Sequence, residues 1–108
     1  MSEVPILTPL ELKSELDGGA KLVLIDVRED HELAISSLPG IVHIPLGEIE
    51  SRFNEIPKDQ DVVIICRTGG RSGKTTDFLM NHGYTRVRNL ATGMNGYATT
   101  VDQSMETY

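Results

Sequence analysis

The chain has 108 residues, 39% of them hydrophobic and 24% charged, which is enough for one domain, residues 1–108, with a core of its own. A net charge of −6 is the reverse of a nucleic-acid binder's balance, and no apolar run is long enough to cross a membrane, so neither partner is expected. One cysteine cannot form an internal disulfide, and the first five residues lack the basic-then-apolar pattern of a secretion signal; a reducing, cytoplasmic setting is expected.

The first helix signal is Thr8-Pro9-Leu10-Glu11. Thr8 is placed to cap, Pro9 suits the first turn, and Glu11 closes a capping box. Leu10, Leu12 and Leu16 form its apolar side, and Asp17-Gly18-Gly19 ends it. Leu22 to Asp26 is continuously apolar up to its last residue, the pattern of a strand buried on both faces. Asp26-Val27-Arg28-Glu29 leaves that strand at its C-terminal end, where open α/β sheets hold ligands. Glu29-Asp30-His31-Glu32 offers metal-ligand side chains, but consecutive helical residues do not share a face. Acids opening a short helix complement its dipole, so a structural role and no metal are expected.

Leu38-Pro39-Gly40 reads as a turn and Ile41 to Ile44 as a short apolar run. Leu46, Ile49 and Phe53 then recur at helical spacing, and Ile56 to Asp59 forms a loop. The β-branched run Val62 to Ile65 predicts a second strand buried on both faces. It ends on Cys66, followed by Arg67, Thr68, Gly69, Gly70 and Arg71, and from Ser72 the pattern turns helical. A helix over Arg71 to His82 is expected, with Phe78 and Leu79 inward and Gly83 as its stop. Val87 to Leu90 reads as a last strand, Gly93 to Ala98 as a turn into a short helix, and Val101 to Tyr108 as a polar tail.

Strand, tight turn and helix place the one thiol beside amide N–H groups that have no helical partner. Glycine lets such amides converge into an anion nest, a freedom assigned here to Gly70. Arg67 and Arg71 favour the same charge. Cys66 is therefore expected to be largely thiolate near neutral pH and able to attack an anionic substrate. The plainer alternative is a buried cysteine acting as a small hydrophobe. Gly73-Lys74-Thr75 resembles the end of a nucleotide-binding loop, but Thr68 stands where that loop needs glycine. No catalytic role is assigned to His31, His43 or His82, since the glycine-rich turn can lower a thiol pKa without a base. Alternating strands and helices imply an α/β fold with a mainly parallel sheet, placing Asp26, Arg28 and Cys66 along one edge.

Together these stretches resemble a rhodanese domain over nearly the whole chain. The resemblance rests on Asp26 to Glu29, the Leu38-Pro39-Gly40 turn with Ile44-Pro45, the Cys66 to Ser72 loop, and Gly93 to Tyr97. It implies a three-layer fold, about five strands with helices on both faces, and a sulfane sulfur carried on Cys66 as a persulfide. It also implies amides from Arg67 to Arg71 around the outer sulfur, with Asp26 and Arg28 in support, and no metal or organic cofactor. Partners would be a small donor such as thiosulfate and a thiol, cyanide or protein acceptor, acting on a monomer or weak dimer. Tyr97-Ala98, Val101-Asp102, Ser104 and Tyr108 are similar to rhodanese domains fused to enzymes that activate sulfur carriers, which suggests a tail that serves a protein acceptor. Ser36-Ser37, Asn95-Gly96 and Tyr97 depart from the family pattern.

Two rival functions remain. A phosphatase or arsenate reductase on the same scaffold has five residues between Cys and Arg, whereas four separate Cys66 from Arg71. The six-residue ring is better sized for one sulfur atom than for a phosphoryl group. A non-catalytic binding module would have no need of the thiol.

Overall fold

The computed structural model describes residues 4–108; Met1 to Glu3, part of the stretch read above as lacking a secretion signal, lie outside the described residues. In chain order the elements are β1 (Ile6–Leu7), α1 (Pro9–Asp17), β2 (Leu22–Asp26), α2 (Asp30–Leu33), β3 (Val42–His43), α3 (Ile49–Arg52), β4 (Asp61–Ile65), α4 (Gly70–Met80), β5 (Val87–Leu90) and α5 (Gly93–Thr100). Short 3₁₀ turns, Leu46–Glu48 and Phe53–Glu55, flank α3. The five strands form one sheet in the order β1-β5-β4-β2-β3, every pair parallel.

β4 lies at the centre, in register with β2 from Leu22↔Asp61 to Asp26↔Ile65. Its side chains alternate between the two faces. Val62, Ile64 and Cys66 join Ile49 and Leu79 in a core beneath α3 and α4. Val63 and Ile65 join Leu12, Met94 and Tyr97 beneath α1 and α5. Each fully buried Val or Ile contributes on the order of 1.5–3 kcal/mol. This double burial is why β2 and β4 read as unbroken apolar runs.

The capping box at Thr8 and Glu11 is present, with Glu11 N–H donating to Thr8 Oγ1 at 3.1 Å and Thr8 N–H to Glu11 Oε1 at 2.7 Å. Leu10 departs from the expected apolar side: it is 61% exposed, while Leu12 is buried and Leu16 packs at the core edge. Phe78 likewise sits at the edge of its core, while Leu79 is buried. The strand not foreseen is β1. Its two residues are defined by pairing with β5, where Ala91 N–H reaches Leu7 C=O at 2.9 Å. Among the described residues, no helix is long and apolar enough to cross a membrane.

Candidate active site

The pleat of β4 turns the Cys66 side chain toward the start of α4, and the residue is only 1% exposed. The turn that follows is shaped from outside. A trans peptide unit carries its C=O and the next N–H on opposite edges. The Cys66 C=O accepts from Met94 N–H at 2.9 Å and the Arg67 C=O from Asn95 N–H at 3.0 Å, both at the start of α5. The N–H groups of Arg67 and Thr68 therefore point away from α5. One residue on, the Gly69 C=O accepts from Asn89 Nδ2 at 3.1 Å.

Left-handed backbone falls at Gly69, φ 105°, and at Gly93, φ 57°. Gly70, where the sequence pattern puts that freedom, is an ordinary first residue of α4 with open space where a Cβ would go. The requirement sits one residue earlier because the chain must reverse before the helix begins.

Sγ accepts from Gly69 N–H and lies the same 3.1 Å from Ser72 Oγ. Burial pushes the Cys66 thiol up, but the Ser72 hydroxyl and the amides of Ser72, Gly69 and Thr68 outweigh it, so the thiol ionises below its ordinary value. The arginines also have other partners. Arg71 makes a two-pronged pair with Glu32, both bonds 2.7 Å, and the Arg67 guanidinium lies 4.9 Å from the centre of the Tyr108 ring. Arg71 still feels the charge of the Cys66 thiolate, as expected, while amides and one hydroxyl supply the hydrogen bonds that favour its ionisation.

Asp26 and Arg28 meet as a wholly buried pair, with Arg28 Nη2 2.9 Å from Asp26 Oδ2. Arg28 also donates to the Ser36 C=O at 2.6 Å and to the Tyr108 phenol oxygen at 2.8 Å. It joins the end of β2 to the segment after α2 and to the tail. Among the described residues no buried side-chain polar atom lacks a partner.

The tail is not a free polar extension. Tyr108 is held on both sides of its backbone by the Asn95 side chain, at 2.8 and 3.1 Å, and its hydroxyl donates to Glu32 Oε2 at 2.8 Å. It therefore belongs to the structure around the thiol. The sequence reading placed Glu32 in an acidic helix start and Gly93 and Asn95 in the late family segment without tying them to the thiol, and it passed over Asn89, whose signal was a polar residue in a strand. The structure brings no histidine to hydrogen-bonding distance of Cys66 among the described residues; His43 bonds the Arg28 C=O and His82 the Phe78 C=O.

Glu32 makes the site acid-sensitive. The Arg71 guanidinium, aided by the Glu29 amide and the Tyr108 hydroxyl, holds its carboxyl down to about 2 from an ordinary 4.5, against the upward push of burial. Because the folded value is the lower one, the stabilisation is complete above the unfolded value and is lost as pH falls from 4.5 toward about 2. At most it is about 3 kcal/mol. Denaturant titrations across that window should show wild type losing stability that Glu32→Gln, already weaker, does not lose. Parallel curves for the two proteins would show that the pair contributes nothing.

The comparisons with known proteins agree with this geometry. A family model described as a rhodanese-like domain matches residues 8–100. A protein named sulfurtransferase from Allochromatium vinosum is 40% identical over 87 residues, covering 81% of each chain. The adenylyltransferase and sulfurtransferase UBA4 of Candida glabrata is 37% identical over 105 residues, covering 87% of this chain and 24% of its own. The human single-domain sulfurtransferase TSTD1 superposes with a TM-score of 0.77 at 28% identity, covering 91% of this chain and 98% of that one. The chain spans 52% of another relative, YrkF of Bacillus subtilis. A five-stranded parallel sheet carrying a cysteine turn at its central strand end, and a family match over most of its length, place this chain in the rhodanese-like domain family.

Proposed function

We propose that the protein is a sulfurtransferase that carries sulfane sulfur on Cys66 as a persulfide. The observation that carries this reading is the set of donors, the Ser72 hydroxyl and the Gly69 N–H among them, converging on a nearly enclosed Sγ whose ionisation they favour. Arg67, Thr68, Gly69, Gly70, Arg71 and Ser72 form the binding turn, while Asp26 and Arg28 brace it.

In the first step the Cys66 thiolate attacks the outer sulfur of a donor such as thiosulfate. The donor's S–S bond breaks, its electron pair leaves with sulfite, and a new Sγ–S bond forms. The negative charge now sits on the outer sulfur, where nearby N–H groups stabilise it. In the second step cyanide, a thiol or a protein acceptor takes that sulfur, and the Sγ–S electron pair returns to Cys66. No metal or organic cofactor enters either step. An enclosed thiol suits a slender sulfur donor better than a phosphate ester, and the six-residue ring from Cys66 to Arg71 points the same way. The resemblance of the tail to rhodanese domains fused to sulfur-carrier-activating enzymes supports a protein acceptor, with thiosulfate as a convenient small donor.

Incubation with thiosulfate should add one sulfur atom to the intact protein, and cyanide should remove it. Cys66→Ser should take up none, because a hydroxyl is a poor sulfur nucleophile. Failure of reduced wild type to accept sulfur from any sulfane donor would leave a binding module as the better reading; Cys66-dependent turnover of an aryl phosphate would favour a phosphatase.

A further inference from the structure

Ser72 has one hydroxyl proton and two acceptors. Its Oγ lies 3.1 Å from Cys66 Sγ and 2.5 Å from Asn89 Oδ1. The Asn89 amide cannot turn round to relieve the competition, because its Nδ2 donates to the Gly69 C=O at 3.1 Å. A carbonyl only accepts, so exchanging the two amide ends would set oxygen against oxygen. Asn89 is 7% exposed, and Gly73 leaves it room: a Cβ at that glycine would come within 3.3 Å of Asn89 Nδ2. The amide is thus locked with its oxygen toward Ser72.

We propose that Asn89 is a positioning residue that competes with Cys66 for the Ser72 proton, and so makes the bare thiolate less stable than an uncontested Ser72 hydroxyl and the surrounding amides would make it. When Cys66 is a neutral thiol, its S–H donates to Ser72 Oγ and the Ser72 O–H donates to Asn89 Oδ1. All three groups are satisfied. When Cys66 is a thiolate, the hydroxyl turns to the sulfur, and the buried Asn89 oxygen loses its donor. When Cys66 carries a second sulfur, the charge moves outward. Sγ is then a weak acceptor, and the hydroxyl returns to Asn89. Only the bare thiolate leaves an acceptor unpaired. A thiolate held back in this way is the stronger nucleophile toward a donor and the poorer leaving group afterwards. Asn89 therefore tilts the cycle toward the loaded state. That consequence rests on the persulfide reading, whereas the competition for the proton does not.

The test is the pH dependence of Cys66 alkylation in four proteins: wild type, Asn89→Leu, Ser72→Ala and the double variant. The charged and titratable groups about the site are the same in all four: Arg67 and Arg71 from the turn and α4, Glu32 from α2, Asp26 and Arg28 from the end of β2, and Tyr108 from the tail. Asn89→Leu should lower the midpoint by about 0.5–1 pH unit, the worth of one neutral hydrogen bond. Ser72→Ala should raise it, and in that background Asn89→Leu should change nothing further. Sulfur-loaded Asn89→Leu should also pass its sulfur to cyanide several-fold faster than loaded wild type. A midpoint that rises or stays put in Asn89→Leu, or an equal shift with and without Ser72, would mean that Asn89 acts only by holding Gly69, and the proposal would fall. Where leucine does not fit, Asn89→Ala makes the same comparison. The predicted midpoints in a wild type that never takes up sulfur would uphold the proton competition and sink the sulfurtransferase reading instead.

Discussion

Gly93→Ala is expected to yield a protein that can scarcely be loaded with sulfur. An added Cβ there would overlap the Cys66 carbonyl oxygen and lie 2.5 Å from the carbonyl carbon and oxygen of Arg67. These are backbone atoms and cannot swing aside as a side chain would. The φ of 57° adds a cost that glycine avoids. Either the cysteine turn or the start of α5 must move, and both Met94 N–H to Cys66 C=O and Asn95 N–H to Arg67 C=O stretch with it. The peptide units around the thiol then lose their orientation. Losing one aligned donor at a developing charge costs about 10²–10³ in rate, so single-turnover loading from thiosulfate should fall at least that far. Stability should fall by about 1–3 kcal/mol, as for an overpacked core, and a denaturant midpoint would report it. Gly70→Ala is the control, since open space surrounds its Cβ position, and it should load nearly as wild type does. Normal loading in Gly93→Ala would mean that α5 does not shape the turn.

Arg28→Ala should be the most damaging change to stability. It strips a partner from Asp26, which is wholly buried, and from the Ser36 C=O and the Tyr108 hydroxyl. Removing one member of a buried ion pair costs about 3–5 kcal/mol, because the remaining charge has neither water nor a counter-charge. A domain's whole stability is on the order of 5–15 kcal/mol. Arg28→Lys should not rescue it, since an ammonium lacks the planar fork that reaches Asp26 and Ser36 together. An apolar pair of similar volume at positions 26 and 28 should recover part of the loss. Chemical denaturation gives the answer, and an Arg28→Ala protein as stable as wild type would show that the Asp26 charge is screened by other means.

What could be read from the sequence was what local chemistry writes there. The Thr8-Pro9-Leu10-Glu11 cap depends on residues within one helical turn, and it appears as read. The apolar runs of β2 and β4 announce double burial residue by residue. What could not be read depends on partners distant in sequence. β1 is two residues long and exists by virtue of β5. Whether Gly69 or Gly70 carries the reversal depends on where α4 begins, a matter of one residue. Arg71 looked like a charge for the thiol alone because Glu32, 39 residues earlier, could not be seen to pair with it as well. Tyr108 looked like the end of a polar tail because its phenol partners lie 76 and 80 residues away.

The clamp on the cysteine turn also has a meaning in time. A chain is made from its N-terminus, and Cys66 emerges well before the residues that shape its surroundings. Met94 and Asn95 must arrive to hold the carbonyls, and Tyr108 to close over Arg67 and Glu32. Until they do, the thiol hangs on an unfinished strand end, without oriented amides and ionising much as any free cysteine does, at about 8.5. A nascent or truncated chain therefore presents Cys66 as an ordinary thiol, and the donors that favour its ionisation are in place only when the final turns of the fold have formed.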